Sequence, residues 1–157
     1  MTRCIILLTL AAAALPAQTP AASERYNGNS YAYATLGGCQ HGYFLAGAGG
    51  GGEAFLWKGV SLGADASYQT FNDGLHFGLA QVQGGYHFIN RRRSAKWDPF
   101  VTAGFGVGFR DGVASAGNLG GGFTYWFRDK IGLRFEGRAQ GVGGEVIVAA
   151  RIGISFR

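Results

Sequence analysis

Apolar and polar positions alternate with period two along most of this chain, and the pattern is cleanest at its end. Over residues 145–157, Val146, Val148, Ala150, Ile152, Ile154 and Phe156 share one face, while Glu145, Arg151, Ser155 and Arg157 fall on the other. A dozen alternating residues closing on an aromatic side chain are what a lipid-facing barrel strand requires. Strands of water-soluble sandwiches are usually nearer five or six residues. The length points to a bilayer.

The same alternation predicts eight strands, at about 30–39, 43–57, 60–70, 76–89, 99–110, 115–127, 131–138 and 145–157, each followed by a turn signal. In the third, Val60, Leu62, Ala64, Ala66 and Tyr68 oppose Ser61, Gly63, Asp65, Ser67 and Gln69. In the fifth, Val101, Ala103, Phe105, Val107 and Phe109 oppose Thr102, Gly104, Gly106, Gly108 and Arg110, with Pro99 at the start, where the missing N–H is tolerated. The fourth is less regular: Val82, Gly84, Tyr86 and Phe88 face away from Gln81, Gln83 and His87, yet Phe77 and Leu79 fall on the polar side. A bulge near Ala80 would restore the phase.

Eight long amphipathic strands can satisfy their backbone groups in lipid only by closing into a barrel. The polarity of the alternation decides which way it faces. An eight-stranded lumen has little room for Phe105, Phe109, Phe123, Tyr125, Phe127 and Phe156 together, so these face lipid and the glycine, serine, Asn118 and charged positions fill the centre. A lipocalin-like soluble cup, the inverse arrangement, is the competitor.

The chain opens with Arg3 and an apolar run at 4–15, followed by the small residues Ala17, Ala21 and Ala22. A dozen apolar residues are too few to cross a membrane as a helix, so residues 1–22 read as a cleavable signal peptide, cut after Ala17 or Ala22. Residues 23–29 form a short N-terminal segment and 30–157 the barrel. Composition agrees: 29 glycines, 12 Phe, 7 Tyr and 3 Trp, three prolines and 15% charged residues, with a net charge of +5. No later run is long or periodic enough for a membrane helix or a helical bundle. Once Cys4 leaves with the signal, Cys39 is alone; its context Leu36-Gly37-Gly38-Cys39 imitates a lipoprotein site but lacks an adjoining apolar segment.

The signal segment, the run from Gly120 to Phe127, Gly132-Leu133-Arg134-Phe135-Glu136-Gly137-Arg138 and the closing Arg151-Ile152-Gly153-Ile154-Ser155-Phe156 give the chain a resemblance to the bacterial outer-membrane small-barrel superfamily. That superfamily includes the transmembrane domain of outer-membrane protein A and its eight-stranded relatives. The resemblance implies an all-β, eight-stranded antiparallel up-and-down transmembrane barrel in the outer membrane, in contact with lipid and lipopolysaccharide. It also implies an assembly signal on the last strand, at Ile152, Ile154 and Phe156, read by the barrel-assembly machinery; Arg157 after the aromatic departs from the pattern. With both termini periplasmic, the turns at 58–59, 90–98 and 128–130 face the periplasm. The cell-surface loops, 40–42, 71–75, 111–114 and 139–144, are short, which argues against an adhesin or receptor surface.

Other motifs fail in context. The run at 47–52 has dinucleotide-loop spacing but no helix to follow it. Arg91-Arg92-Arg93 lacks interleaved aromatics, so nucleic acid is not expected. A lipid A deacylase would need Ser, His and a carboxylate together on the outer wall. Ser67 and Glu53 read as inward and leave His76 without partners, so no catalytic residue is assigned. His41, His76 and His87 are scattered, and neither a metal nor a cofactor is expected.

The polar faces suggest instead a lumen ion-pair network of Asp65, Arg134, Glu136, Arg138 and Arg151, joined by Glu53, in which Glu136 reaches Arg151 or Arg134. The alternative places these charges in a wet rim, Arg138 being close to a loop. The expected function is a non-enzymatic barrel with a filled lumen and a structural or envelope role. A small pore for small or apolar solutes, or a lipid A-modifying enzyme, are the alternatives.

Overall fold

A computed structural model describes residues 27–39, 41–88 and 95–157. The signal segment, Gln40 and the arginine run at 91–93 lie outside the described residues. Eight strands follow one another: β1 (Gly28–Cys39), β2 (Phe44–Trp57), β3 (Val60–Phe71), β4 (His76–His87), β5 (Trp97–Phe109), β6 (Val113–Arg128), β7 (Ile131–Val142) and β8 (Glu145–Phe156). Each pairs antiparallel with the next, and β8 returns to β1 through the register Ser30↔Phe156 to Cys39↔Ile147, closing the barrel. A 12-residue strand at about 3.3 Å per residue, tilted by about 40°, rises about 30 Å, the thickness of a hydrocarbon core.

Turn chemistry sets the hairpins. Lys58 (φ 43°) and Gly59 (φ 89°) join β2 to β3, and Gly143 (φ 57°) and Gly144 (φ 93°) join β7 to β8. Two successive positive-φ residues are the mark of the tight turn whose twist matches the flanking strands.

The outer wall carries the apolar set. Phe105 is 72% exposed and Leu119 66%, values no isolated soluble domain of this size would spread around its circumference. Val82, Leu133, Val148, Ile152 and Ile154 extend the band. Aromatic side chains edge it at both ends: Trp57, Phe88, Trp97 and Phe127 near the termini, and Tyr43, Phe44, Tyr68 and Phe109 opposite. This is the girdle pattern of a membrane barrel.

The interior alternates large with small between strands rather than along them. Gly51 of β2 lies between Tyr31 and Asp65, and Gly122 of β6 lies between Phe100 and Glu136. Gly120 stands opposite Arg138, and Gly153 opposite Arg134. These bulky inward groups therefore project over glycine on a neighbouring strand, whereas Arg151 stands between Thr35 and Glu136. A narrow closed barrel gains room for arginine and tyrosine in this way.

Four details differ from the sequence reading. There is no bulge at Ala80, which pairs in unbroken register with Ala66 and Val107. Phe77 and Leu79 point inward in phase with Gln81, because one end of the lumen is apolar: Leu45, Phe77, Leu79, Ala116 and Ile147 cluster there, flanked by Cys39, Phe71 and Val142. The register instead shifts between Phe55 and Trp57 and between Trp126 and Arg128, beside two turns. Strand β7 runs on to Val142, its small Ala139 and Gly141 having hidden the alternation, so the expected 139–144 loop shrinks to two residues. Finally, β1 begins at Gly28 and β5 at Trp97, which brings Asn29 and Asp98 into the barrel wall.

Candidate functional site

The polar centre of the lumen is built by inward positions of all eight strands. Its buried charged groups, among the described residues, are Glu53, Asp65, Asp98 and Glu136 against Arg134, Arg138, Arg151 and His87. They form two linked clusters. In the first, Glu53 of β2 accepts hydrogen bonds from Asn29 Nδ2 (3.3 Å), Ser61 Oγ (2.9 Å) and Arg134 Nη1 (3.2 Å). His87 lies against it through Nε2 (3.0 Å) and against Asp98 through Nδ1 (2.8 Å). The ring thus bridges the two carboxylates, tying β2 to β5 through β4.

Glu136 joins this cluster to the second. Arg134 Nε donates to Glu136 Oε2 (3.2 Å), and Arg138 donates to Oε1 of the same carboxylate. Arg138 goes on to Asp65 Oδ2 (2.9 Å), Gln81 Oε1 (3.2 Å) and Gln83 Oε1 (2.8 Å). Asp65 also takes Arg151 Nη1 (3.3 Å) and the Tyr33 hydroxyl (3.2 Å), and Arg151 Nη2 reaches Gln140 Oε1 (3.1 Å). Aromatic faces cover the guanidinium planes: Arg134 lies 4.4 Å from the Tyr31 ring centroid and 3.8 Å from that of Phe100, and Arg151 lies 4.3 Å from that of Tyr33. Opposite charge, neutral acceptors and ring faces surround these buried ions, while Arg134 Nη2 and Arg151 Nε are buried without a hydrogen-bond partner.

All five residues singled out from the sequence, Asp65, Arg134, Glu136, Arg138 and Arg151, lie in this network, and Glu53 is part of it. Of the two partners expected for Glu136, it takes Arg134, together with Arg138; both lie on its own strand and face two residues away, not across strands, and Arg151 turns to Asp65. Arg138 is not in a wet rim: it is 2% exposed, since the extension of β7 moves it into mid-wall. The sequence reading missed His87, Asp98 and the tyrosines. A usable signal was available in Tyr31 and Tyr33, which share a face with Thr35 and belong to the lumen by the same period-two rule.

Ile152, Ile154 and Phe156 face outward and are exposed along β8. The Ser–His–carboxylate set does not assemble. Ser67 Oγ accepts from Gln69 inside the barrel, Glu53 is committed to the network, and His76 sits exposed against the Gly74 carbonyl. The glycine run at 47–52 lies within β2. Two shallow apolar concavities lie on the outer wall, one floored by Gly50, Ala64, Ala66 and Ala80 beside Phe105, the other by Gly52, Ala54 and Leu62.

No protein-family model and no curated protein sequence matches the chain. Solved structures do. Neisserial surface protein A superposes with a TM-score of 0.65 at 9% identity, over 82% of this chain and 94% of its own. The N-terminal β-barrel domain of Pseudomonas aeruginosa OprF gives 0.59 at 21% identity, over 85% and 100%. The outer membrane enzyme PagL gives 0.59 at 14%, over 81% and 99%. With its closed ring of eight antiparallel strands, its apolar outer wall and its charged, filled centre, the chain has the fold of the small bacterial outer-membrane β-barrels.

Proposed function

We propose that this protein is a non-enzymatic integral protein of the bacterial outer membrane whose closed barrel serves a structural, envelope-stabilising role. The observation that carries this reading is the double closure of the lumen. The ion network fills the half nearer the termini, and the Leu45, Phe77, Leu79 and Ile147 cluster fills the other. An eight-stranded lumen packed with side chains leaves no aqueous path. The short connections at the opposite end offer little surface for capturing a large partner. The exposed Ile152, Ile154 and Phe156 of β8 would serve as the assembly signal, and the outer wall would contact lipid and lipopolysaccharide.

Planar-bilayer recording on refolded protein tests closure directly: steady channels above background would defeat it. Fractionation with a heat-modifiability gel tests location. The unboiled protein should be recovered in the outer membrane and migrate apart from the boiled form; recovery in the soluble periplasm would overturn the assignment. Mass spectrometry of lipid A from cells with and without the protein tests the absence of catalysis, and a deacylated or acylated species that depends on the protein would refute it.

A further inference from the structure

The two ends of the barrel differ in charge. Among the described residues, the end that carries the termini presents the exposed side chains of Lys58, Lys96, Arg128 and Lys130 against that of Asp129. The opposite end presents Asp73, Asp111 and Glu145 against Arg110, with His41 3.1 Å from Glu145. One of these cations is held on an aromatic ring. Lys58, fixed at φ 43° in its two-residue turn, places Nζ 4.6 Å from the centroid of Trp57. Arg157 is not one of them: it lies 4.2 Å over buried Trp126, with its Nη1 buried and its Nε donating to the Asp129 carbonyl (2.7 Å).

Depth is set independently of charge. Exposed Trp57, Tyr86 and Trp97, with Phe88 and Phe127, ring the wall just inside these cations, and the amphipathic Trp and Tyr rings settle at headgroup level. Cations one turn beyond them stand at the phosphates. We propose that this rim binds the headgroups of anionic phospholipids, selecting them over zwitterionic ones in the leaflet that the termini face. The inference rests on the membrane location proposed above and deepens it. Phospholipid is favoured over lipopolysaccharide because the end opposite, which would meet lipopolysaccharide, carries the acidic excess. A basic group near an anionic surface contributes about fivefold in affinity at low salt, and the contribution falls off over a Debye length.

The test uses the full chain folded into phosphatidylcholine vesicles containing phosphatidylglycerol, with one or the other lipid brominated, and reads tryptophan quenching from Trp57 and Trp97. Brominated phosphatidylglycerol should quench more strongly than brominated phosphatidylcholine at equal mole fraction. That preference should shrink with added salt and fall toward unity in the Lys58→Asn, Arg128→Gln, Lys130→Gln triple variant. Asp73→Asn with Asp111→Asn, at the other end, should leave it unchanged. Equal quenching by both lipids, a preference that survives the triple variant, or displacement of phosphatidylglycerol by an equal charge of lipopolysaccharide would overturn the proposal. An unboiled gel lane from the same samples separates the two failures. A folded band without lipid preference removes this inference alone, and no folded band removes the membrane reading with it.

Discussion

Asp65 shows how much one side chain can hold together in a narrow lumen. Its carboxylate meets Arg138, Arg151 and the Tyr33 hydroxyl, groups from three other strands. Glu136 has the same standing between Arg134 and Arg138. Removing one member of such a set strands the others without water, so Glu136→Leu should lower unfolding stability by about 3–5 kcal/mol. A urea titration of the folded gel band measures it, and an unchanged midpoint would mean that the network carries no stability. The glycines are constrained as tightly. A Cβ on Gly122 would lie 1.9 Å from the Phe135 carbonyl oxygen, and one on Gly106 2.0 Å from that of Ala80. Backbone on backbone cannot yield without parting the strands, so Gly122→Ala should cost about 1–3 kcal/mol in the same assay. Open-space Gly117, where a Cβ meets nothing, should accept alanine without loss. Residue by residue, the sequence revealed which groups are inward wherever alternation was strict, as at Asp65 or Arg151. It concealed His87, whose partners Asp98 and Glu53 lie 11 and 34 positions away on other strands and leave no local spacing to recognise.

At the scale of the strand, β6 separates a membrane wall from a soluble one. Leu119 is exposed near mid-strand and sits next to inward Asn118. In water, arginine there would be harmless; at the middle of a bilayer it costs about 2–4 kcal/mol. Leu119→Arg should therefore destabilise the barrel folded in vesicles by that amount, and a neutral result would argue that the wall does not face lipid. The sequence located all eight strands because each needed one continuous apolar face. It misjudged β4 because a uniformly polar lumen was assumed, whereas Phe77 and Leu79 belong to an apolar layer. It shortened β7 because Ala139 and Gly141 are too small to announce a lipid-facing position. Both errors come from side chains whose burial depends on neighbours across the barrel, which a single strand's pattern does not contain.

For the whole molecule, two closures in series make a stronger barrier than either alone. Trimming Arg138 to glycine leaves the apolar layer intact, and trimming Phe77 and Leu79 leaves the ion network; each variant, once folded, should remain non-conducting in planar bilayers. Only the combined Phe77→Gly, Leu79→Gly, Arg138→Gly protein should pass steady current. Conductance in either partial variant would show that one layer seals the lumen by itself.

The ring of neighbours described above also has a temporal side. Seven of the eight strand pairings join consecutive hairpin partners and can zip by closing loops of between two and nine residues, at small entropic cost. The β1–β8 seam unites the two ends of the barrel chain, and its loop entropy is recovered only when the other strands are already in place. Until it forms, β1 and β8 are both open edges with unpaired backbone groups, one of them bearing Ile152, Ile154 and Phe156, and the nascent sheet is a template for another chain. Sealing this last seam removes both open edges at once, and with them the template on which another chain could pair.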